Sequence, residues 1–206
     1  MTPADTLSLR ERKKLETWDL IHDAAAGLAL DEDIPCVTVE AIASEAGVSQ
    51  RTFFNYFPTK EDAILGVRSP QRPELPEGFL DGGDLLRRTT EMLLLVSRSA
   101  YSERGADRRA GLYAKFPNLL LRRRELSLQC EDLLQQALAD AMARHPEWSK
   151  GLHGHGVEDA ARMLTTAAGT PLRYALMAPG PQQGQLSEHT VLDAIELFQD
   201  LYRKLS

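Results

Sequence analysis

The sequence lacks the features that mark a secreted or membrane-spanning protein. Its 206 residues include only two cysteines, Cys36 and Cys130, which are too few for a disulfide framework or a cysteine-rich zinc cluster. No apolar run approaches the roughly 20 residues that span a bilayer. The charged N-terminal stretch is not followed by the apolar core of a secretory signal. We therefore expect a cytoplasmic protein without a membrane partner.

The motifs of common enzyme classes are also missing. The sequence has no glycine-rich nucleotide-binding loop, no HExxH and no GxSxG. His145, His153 and His155 lie close together, but no Cys, Asp or Glu pattern completes a metal site. Glycines flank the last two, which indicates an exposed loop. We therefore predict that the protein is not an enzyme and needs neither a metal nor a cofactor.

The composition favours helices. Aromatic residues make up 6% of the chain, while Ala, Leu, Arg and Glu, which lose little side-chain freedom in a helix, are abundant. The net charge of −6 argues against non-specific binding to nucleic acid. Residues 1–66 carry that whole excess, with 6 basic and 12 acidic side chains, although Arg10, Arg12, Lys13 and Lys14 form a local basic cluster. Charge therefore neither supports nor excludes contact with DNA.

Residues 37–60, VTVEAIASEAGVSQRTFFNYFPTK, predict two short helices joined by a tight turn. Thr38 stands where an N-cap belongs, and the apolar residues that follow recur at helical spacing. Gly47 can adopt the left-handed conformation that closes a helix, and Ser49 can cap the next one. This order of helix, three-residue turn and helix is typical of a helix-turn-helix motif.

The second helix of this motif has a polar face. Gln50, Arg51, Thr52 and Asn55 carry groups that can read base edges in the major groove. Phe54 is either exposed and able to touch DNA or part of the core. The other interpretation of the whole segment is a short amphipathic hairpin whose polar face is simply solvated.

The run TVEAIASEAGVSQRTFFNYFPTKED, with its pattern GVSxxTFFxYFxxKE, resembles the DNA-binding domain of the tetracycline-repressor (TetR) family of bacterial transcription regulators. The resemblance covers roughly residues 10–66 and is only architectural beyond them. It implies a homodimer that binds a palindromic double-stranded operator and is released by a small-molecule effector. The DNA-contacting positions that it implies are Thr38, Gln50, Arg51, Thr52, Phe54, Asn55, Tyr56 and Lys60.

The predicted organisation is all-α, with a DNA-binding domain over residues 1–66 and a larger helical effector-binding and dimerisation domain over residues 67–206. An apolar pocket in the second domain is predicted to hold the effector. Each candidate lining residue could equally be plain core; they are Met92, Leu95, Tyr113, Leu126, Leu133 and Met163. The charge run Arg122–Arg124 is either a solvated face or an anchor for an anionic ligand.

The last two predicted helices carry small and apolar stripes. The resemblance implies that they pair with their symmetry mates in a four-helix bundle. The candidate interface residues are Ala161, Leu164, Ala168, Leu172, Val191, Ile195, Phe198 and Tyr202. The alternative is that these stripes only fill the core of the same chain.

Three functions follow from these observations. The leading hypothesis is a dimeric repressor that leaves its operator when a small, mostly apolar ligand binds. An activator with the same fold is a second possibility. The third is a helical ligand-binding or partner-binding protein that does not bind DNA, which only the acidic N-terminal third favours.

Overall fold

The regular secondary structure in the part of the chain that the computed structural model describes consists of helices joined by turns and loops. The described residues are 8–31, 36–102, 106–149, 153–177 and 188–205. Within these ranges the only other regular pairing is an isolated antiparallel bridge between Val67 and Tyr101. The predicted all-α class is therefore confirmed. None of the described helices is both long and apolar enough to cross a bilayer.

The N-terminal part contains four helices in the predicted order. They are α1 (Leu9–Asp31), α2 (Val39–Glu45), α3 (Gln50–Tyr56) and α4 (Lys60–Leu65). The last three each begin behind a hydroxyl cap. The side chains of Thr38, Ser49 and Thr59 accept from the backbone N–H groups three residues ahead, at 3.1, 3.0 and 3.1 Å respectively. The helix-turn-helix and its predicted caps are confirmed, because each cap satisfies an N–H that has no partner within its helix.

Aromatic side chains fill the core between α1 and α3. Phe53 and Phe57 are fully buried and Trp18 nearly so. The Trp18 and Phe57 ring centroids lie 4.9 Å apart, and those of Phe53 and Phe57 lie 6.0 Å apart. Both distances fall in the range where aromatic pairs attract beyond their burial alone. This cluster fixes which face of α3 points inward.

α4 is fastened to α1 through a buried histidine. The His22 ring donates from Nδ1 to the Ala63 carbonyl at 2.7 Å, since a carbonyl can only accept. α4 ends at Gly66, whose φ of 65° is left-handed and whose N–H, with that of Val67, satisfies carbonyls of the last turn. A Cβ on Gly66 would lie 2.8 Å from the His22 ring, so the close approach requires glycine.

The end of α1 is stabilised from outside its own sequence. α1 has no basic residue in its last turn. Instead, the Lys115 ammonium of α6 (Ala106–Lys115) donates to the Leu30 carbonyl at 2.7 Å and to that of Ala29 at 3.3 Å. A positive charge at a helix C-terminus stabilises both the unpaired carbonyls and the helix dipole.

The chain divides by packing into two compact units, Met1–Arg68 with Tyr101–Arg122, and Ser69–Ala100 with Arg123–Ser206. The first unit thus takes in residues 101–122 in addition to the predicted N-terminal domain. The Ser102 N–H donates to the Gly66 carbonyl at 2.9 Å, which pairs the returning chain with the end of α4. The predicted domain boundary at residue 66 stays a prediction, because the two packing units do not divide the chain at a single residue.

The remaining helices begin and end close to the predicted positions. They are α5 (Leu85–Ser99), α7 (Leu119–Ala143), α8 (Pro146–Ser149), α9 (Val157–Met177) and α10 (Glu188–Leu205). α5 was expected to be apolar on most sides and is instead amphipathic, with Leu95 exposed. Within the second unit α9 packs against α5 and α10. The short α8 follows His145, in a stretch between the clustered histidines where the sequence predicts no helix.

Substitution of Gly66 by alanine is expected to destabilise the protein by about 2–5 kcal/mol. A left-handed alanine costs roughly 1–2 kcal/mol, and disturbing the buried His22 hydrogen bond adds about 1–3 kcal/mol. Gly47→Ala is the matched control, because Gly47 has the same φ of 65° and closes α2 in the same way but has open space at its Cβ position. Urea unfolding followed by circular dichroism measures both, and equal losses would contradict the role given to His22.

Candidate nucleic-acid interface

The aromatic core turns one face of α3 to the outside. Phe53 is buried, while Gln50, Arg51 and Asn55 are exposed. These three side chains carry an amide, a guanidinium and a second amide, the groups that can make bidentate hydrogen bonds to adenine or guanine. The structure therefore brings the predicted base-reading positions together on the exposed face of a short helix.

Thr52 contributes differently from its neighbours. Its hydroxyl lies 2.8 Å from the Ser49 hydroxyl, and its backbone N–H donates to the same oxygen at 3.0 Å. The Thr52 side chain is thus part of the cap that begins α3. With its hydroxyl engaged in this pair, the group best suited to contact a base is its methyl, which fits the methyl of thymine.

Phe54 is exposed, which resolves the two interpretations of the sequence. Its side chain keeps 56% of its surface accessible. The ring meets that of Phe53 edge to face, at a centroid distance of 5.4 Å and an interplanar angle of 88°. The buried ring therefore orients the exposed one, and Phe54 offers an apolar surface beside the polar groups of α3.

The structure brings together Thr38 and Lys60, two of the implied DNA-contacting positions. The Lys60 ammonium donates to the carbonyl of Val37, the residue before Thr38, at 2.9 Å. Thr38 itself is exposed at the start of α2, and Tyr56 is half-buried at the end of α3. The hydrogen bond holds a positive charge beside the start of α2.

Asp62 is a structural residue that the sequence interpretation did not single out. Its side chain is 1% exposed. The carboxylate accepts a hydrogen bond from the Thr59 hydroxyl at 2.9 Å and another from the Arg122 Nε–H group at 2.6 Å. Arg122 was interpreted as part of a solvated charge run or an anion anchor. That interpretation is wrong for this side chain, because its guanidinium is paired with a buried carboxylate 60 residues away in sequence.

Trp18 and His22 were also missed as determinants of the interface. They lie one turn apart on α1, with ring centroids 5.4 Å apart, and the Arg68 guanidinium lies 4.7 Å from the Trp18 ring. Helical spacing could have marked Trp18 and His22 as a pair. The Arg68 contact had no signal in sequence, since it depends on where the chain leaves α4.

The predicted effector-lining residues do not all lie inside the protein. Leu126 is buried, and Met92 and Leu133 are half-buried. Leu95 and Met163 are 62% and 72% exposed, so their assignment to an enclosed pocket is not supported. Both lie on outward faces of amphipathic helices whose opposite faces are packed. The sixth, Tyr113, is half-buried on α6 in the first unit.

Most of the predicted dimer residues are used inside the chain. Five are at most 5% exposed: Ala161, Ala168, Leu172, Val191 and Ile195. Leu164 and Phe198 are half-buried, and only Tyr202, at 68%, is strongly exposed. The intramolecular alternative is therefore the better account of the five buried positions, because α9 and α10 bury these residues within the second unit.

The three clustered histidines are spread over exposed or partly exposed positions. His145 lies 3.1 Å from the Glu147 carboxylate, and His155 lies 3.7 Å from that of Asp159. His153 is exposed with a φ of 49°. These contacts are local pairs with acidic neighbours rather than a convergent set of ligands.

Comparison with known proteins addresses the N-terminal part of the chain. Residues 21–65 match the family described as "Bacterial regulatory proteins, tetR family". A comparison with curated proteins finds no significant match. The match spans the end of α1, the helix-turn-helix and all of α4, so it covers the elements that position every predicted DNA contact. The N-terminal helices therefore form a domain of the kind found in the tetR family of bacterial regulatory proteins, which supports a DNA-binding transcriptional regulator.

Proposed function

We propose that the protein is a homodimeric repressor that binds a palindromic operator and leaves it when a small, mostly apolar effector occupies the second unit. The observation that carries the proposal is the exposed face of α3. Gln50, Arg51 and Asn55 lie on this face, and the buried aromatic core holds the opposite face of the helix. A helix presented in this way fits the major groove. Selection of the operator from random DNA tests it, followed by a reporter carrying the selected site. Repression predicts lower transcription with the protein present, whereas an activator would raise it.

The contacts divide into two proposed roles. Gln50, Arg51 and Asn55 read base edges, and the Thr52 methyl and Phe54 ring contact apolar parts of the groove. Thr38, Tyr56 and Lys60 position the motif on phosphates. The Lys60 bond to the Val37 carbonyl supports this, because it holds the ammonium at the same end of α2 as the Thr38 hydroxyl.

Dimerisation follows from an apolar surface that the chain leaves exposed. On α9, Met163, Tyr174 and Met177 are 57–75% exposed and share one stripe of the helix. On α10, Leu197, Leu201 and Leu205 recur every four residues and are 43–86% exposed. Exposed apolar stripes of this kind mark interaction surfaces. We assign the interface to these residues with Tyr202, in place of the buried set.

The charge of the N-terminal region supports the need for two copies. Residues 1–66 carry 6 basic and 12 acidic side chains, so one motif gains little attraction for the DNA phosphates. A dimer joins two motifs at a fixed spacing, and the second contact then forms at a high effective concentration. Release follows if the effector favours a dimer whose two α3 helices no longer match successive major grooves.

Base-reading and phosphate positions should respond differently to substitution. Gln50→Ala and Asn55→Ala are each expected to cost about 1–3 kcal/mol at the selected operator and to relax base preference at one position. Lys60→Gln is expected to weaken all sequences about equally and to lower the salt slope by about 1. Fluorescence anisotropy at several salt concentrations measures both quantities.

The control for Lys60→Gln is Arg124→Gln, which removes one positive charge from an exposed position on α7 in the second unit. It should leave affinity and salt slope unchanged. Thermal unfolding of the Lys60 variant distinguishes two causes of weaker binding. An unchanged melting temperature indicates a lost phosphate contact, whereas a lowered one indicates that α2 is held less firmly. If Gln50→Ala lowers affinity for every sequence equally, the groove assignment is wrong.

Substitution of Leu201 by glutamate should convert the dimer into a monomer and abolish tight operator binding, because a charge would be buried in an apolar interface. Leu95→Glu is the matched control, since Leu95 is a comparably exposed leucine on α5, outside the proposed interface. Sedimentation velocity gives the oligomeric state of both variants. A dimeric Leu201→Glu protein with normal operator affinity would show that the assigned surface is not the interface.

A further inference from the structure

One hydroxyl group in the second unit is buried without a hydrogen-bond partner. Thr165, on α9, is 2% exposed, and its Oγ1 is the only buried side-chain oxygen or nitrogen without a partner among the described residues. Leaving a buried hydroxyl unpaired is unfavourable, and such groups in native structures need an explanation. The folded chain therefore does not supply a hydrogen-bond partner for the Thr165 hydroxyl.

The other threonines of the same helix show that Thr165 has a local alternative. Thr166 and Thr170 are exposed, and their hydroxyls donate to the carbonyls four residues back at 2.8 and 3.1 Å. On α5, the buried Thr89 and Thr90 do the same at 2.7 and 2.9 Å. A helical threonine can reach that carbonyl by choosing its rotamer. Thr165 does not make this bond, although the equivalent carbonyl belongs to its own helix.

The surroundings of Thr165 on α9 are small. Its neighbours one turn away on the same face are Ala161, Ala168 and Gly169, and all three are buried. The side of Gly169 that would bear a Cβ is closed by the Arg173 guanidinium and the Glu131 carboxylate, at 2.6 and 2.9 Å from that position. Beside the Thr165 hydroxyl, this face therefore carries small side chains and one ion pair, in which Arg173 and Glu131 are already partnered.

Among the described residues, the second unit has no fully buried charged side chain. Its fully buried polar residues, within the described chain, are the three threonines 89, 90 and 165. The Glu131 carboxylate lies beside Gly169, and Arg173 already donates to it at 2.8 Å. Burial raises the pKa of the Cys130 thiol to about 11, so that buried group stays neutral at physiological pH. A buried charge on a ligand would therefore lack a counter-charge.

We propose that the Thr165 face of α9 binds the polar end of the effector, a neutral and mostly apolar molecule carrying one hydrogen-bonding oxygen, hydroxyl or carbonyl. The inference rests on the proposed effector-responsive function and names the ligand chemistry of that function. Thr165 Oγ1 pairs with the ligand oxygen, as donor to a carbonyl or in either sense with a hydroxyl. The small residues beside it accommodate the adjoining apolar part.

The first test needs no ligand. Thr165→Val keeps the side-chain shape and removes the unpaired hydroxyl, so the melting temperature of the free protein should rise by about 2–4 °C. Thr166→Val is the control, because Thr166 is exposed and its hydroxyl is paired; its melting temperature should change little. An unchanged or lowered melting temperature for Thr165→Val would overturn the proposal, since the hydroxyl would then have a partner within the protein.

The second test uses matched ten-carbon compounds on linear and cyclic scaffolds, each bearing a hydroxyl, ketone, carboxylate, ammonium or methyl group. The hydroxyl and ketone compounds are expected to raise the melting temperature of the wild-type protein most. For the best of them, Thr165→Val should raise Kd by about 3- to 10-fold, while Thr166→Val should leave it unchanged. Preference for a charged or methyl-terminated compound, no binding by any neutral oxygen compound, or equal Kd in both variants would overturn the proposal.

Operator binding, followed in the same samples by anisotropy with the selected DNA, separates this proposal from the proposed function. Thr165→Val should bind the operator as tightly as wild type, because α9 lies outside the DNA-contacting helices. Binding of a neutral compound that depends on Thr165 but does not release DNA would support the site and refute the release mechanism. If a compound releases DNA but has the same Kd for wild type and Thr165→Val, the result would support the release mechanism and overturn the proposed site.

Discussion

The packing of Trp18 and Phe57 is the contact on which the DNA-binding unit depends. It places α3 against α1, and Phe53 continues the same core so that only one face of α3 can be exposed. The orientation of Gln50, Arg51 and Asn55 is a consequence of that burial. Groups that read bases must be held within a fraction of an ångström, and a short helix cannot achieve this by its own hydrogen bonds. The aromatic core therefore decides which side chains of α3 are exposed.

A second set of contacts ties this unit to distant parts of the chain. His22 reaches the carbonyl of Ala63, Lys115 reaches the end of α1, and Arg122 pairs with Asp62 behind the cap of α4. Asp62 is nearly inaccessible to solvent, so its charge needs a partner, and the guanidinium supplies one. Because α7 begins beside this pair and continues into the second unit, the same helix carries residues of both units.

The two units differ in how they treat polar groups. In the first, buried polar side chains such as His22 and Asp62 have partners and fix the positions of helices. In the second, the unpartnered Thr165 hydroxyl lies among small residues, and apolar side chains such as Leu201 and Tyr202 remain on the surface. The hydroxyl lacks a hydrogen-bond partner and the apolar side chains lack a covering surface. Both features are suited to binding another molecule.

The sequence by itself determined the helices, their caps and the reading motif. Thr38, Ser49 and Thr59 act on N–H groups three residues away, and helical periodicity marks the buried face of α3, so these features depend on neighbours in sequence. Only the tertiary structure decided that Phe54 is exposed, that Arg122 is an ion-pair partner, and that Ala161 and Val191 face the interior of their own chain. An apolar or charged stripe shows that a helix has a partner, but not which one. The identity of the partner depends on which surfaces the folded chain brings together. The residue pattern of a single helix does not contain that information.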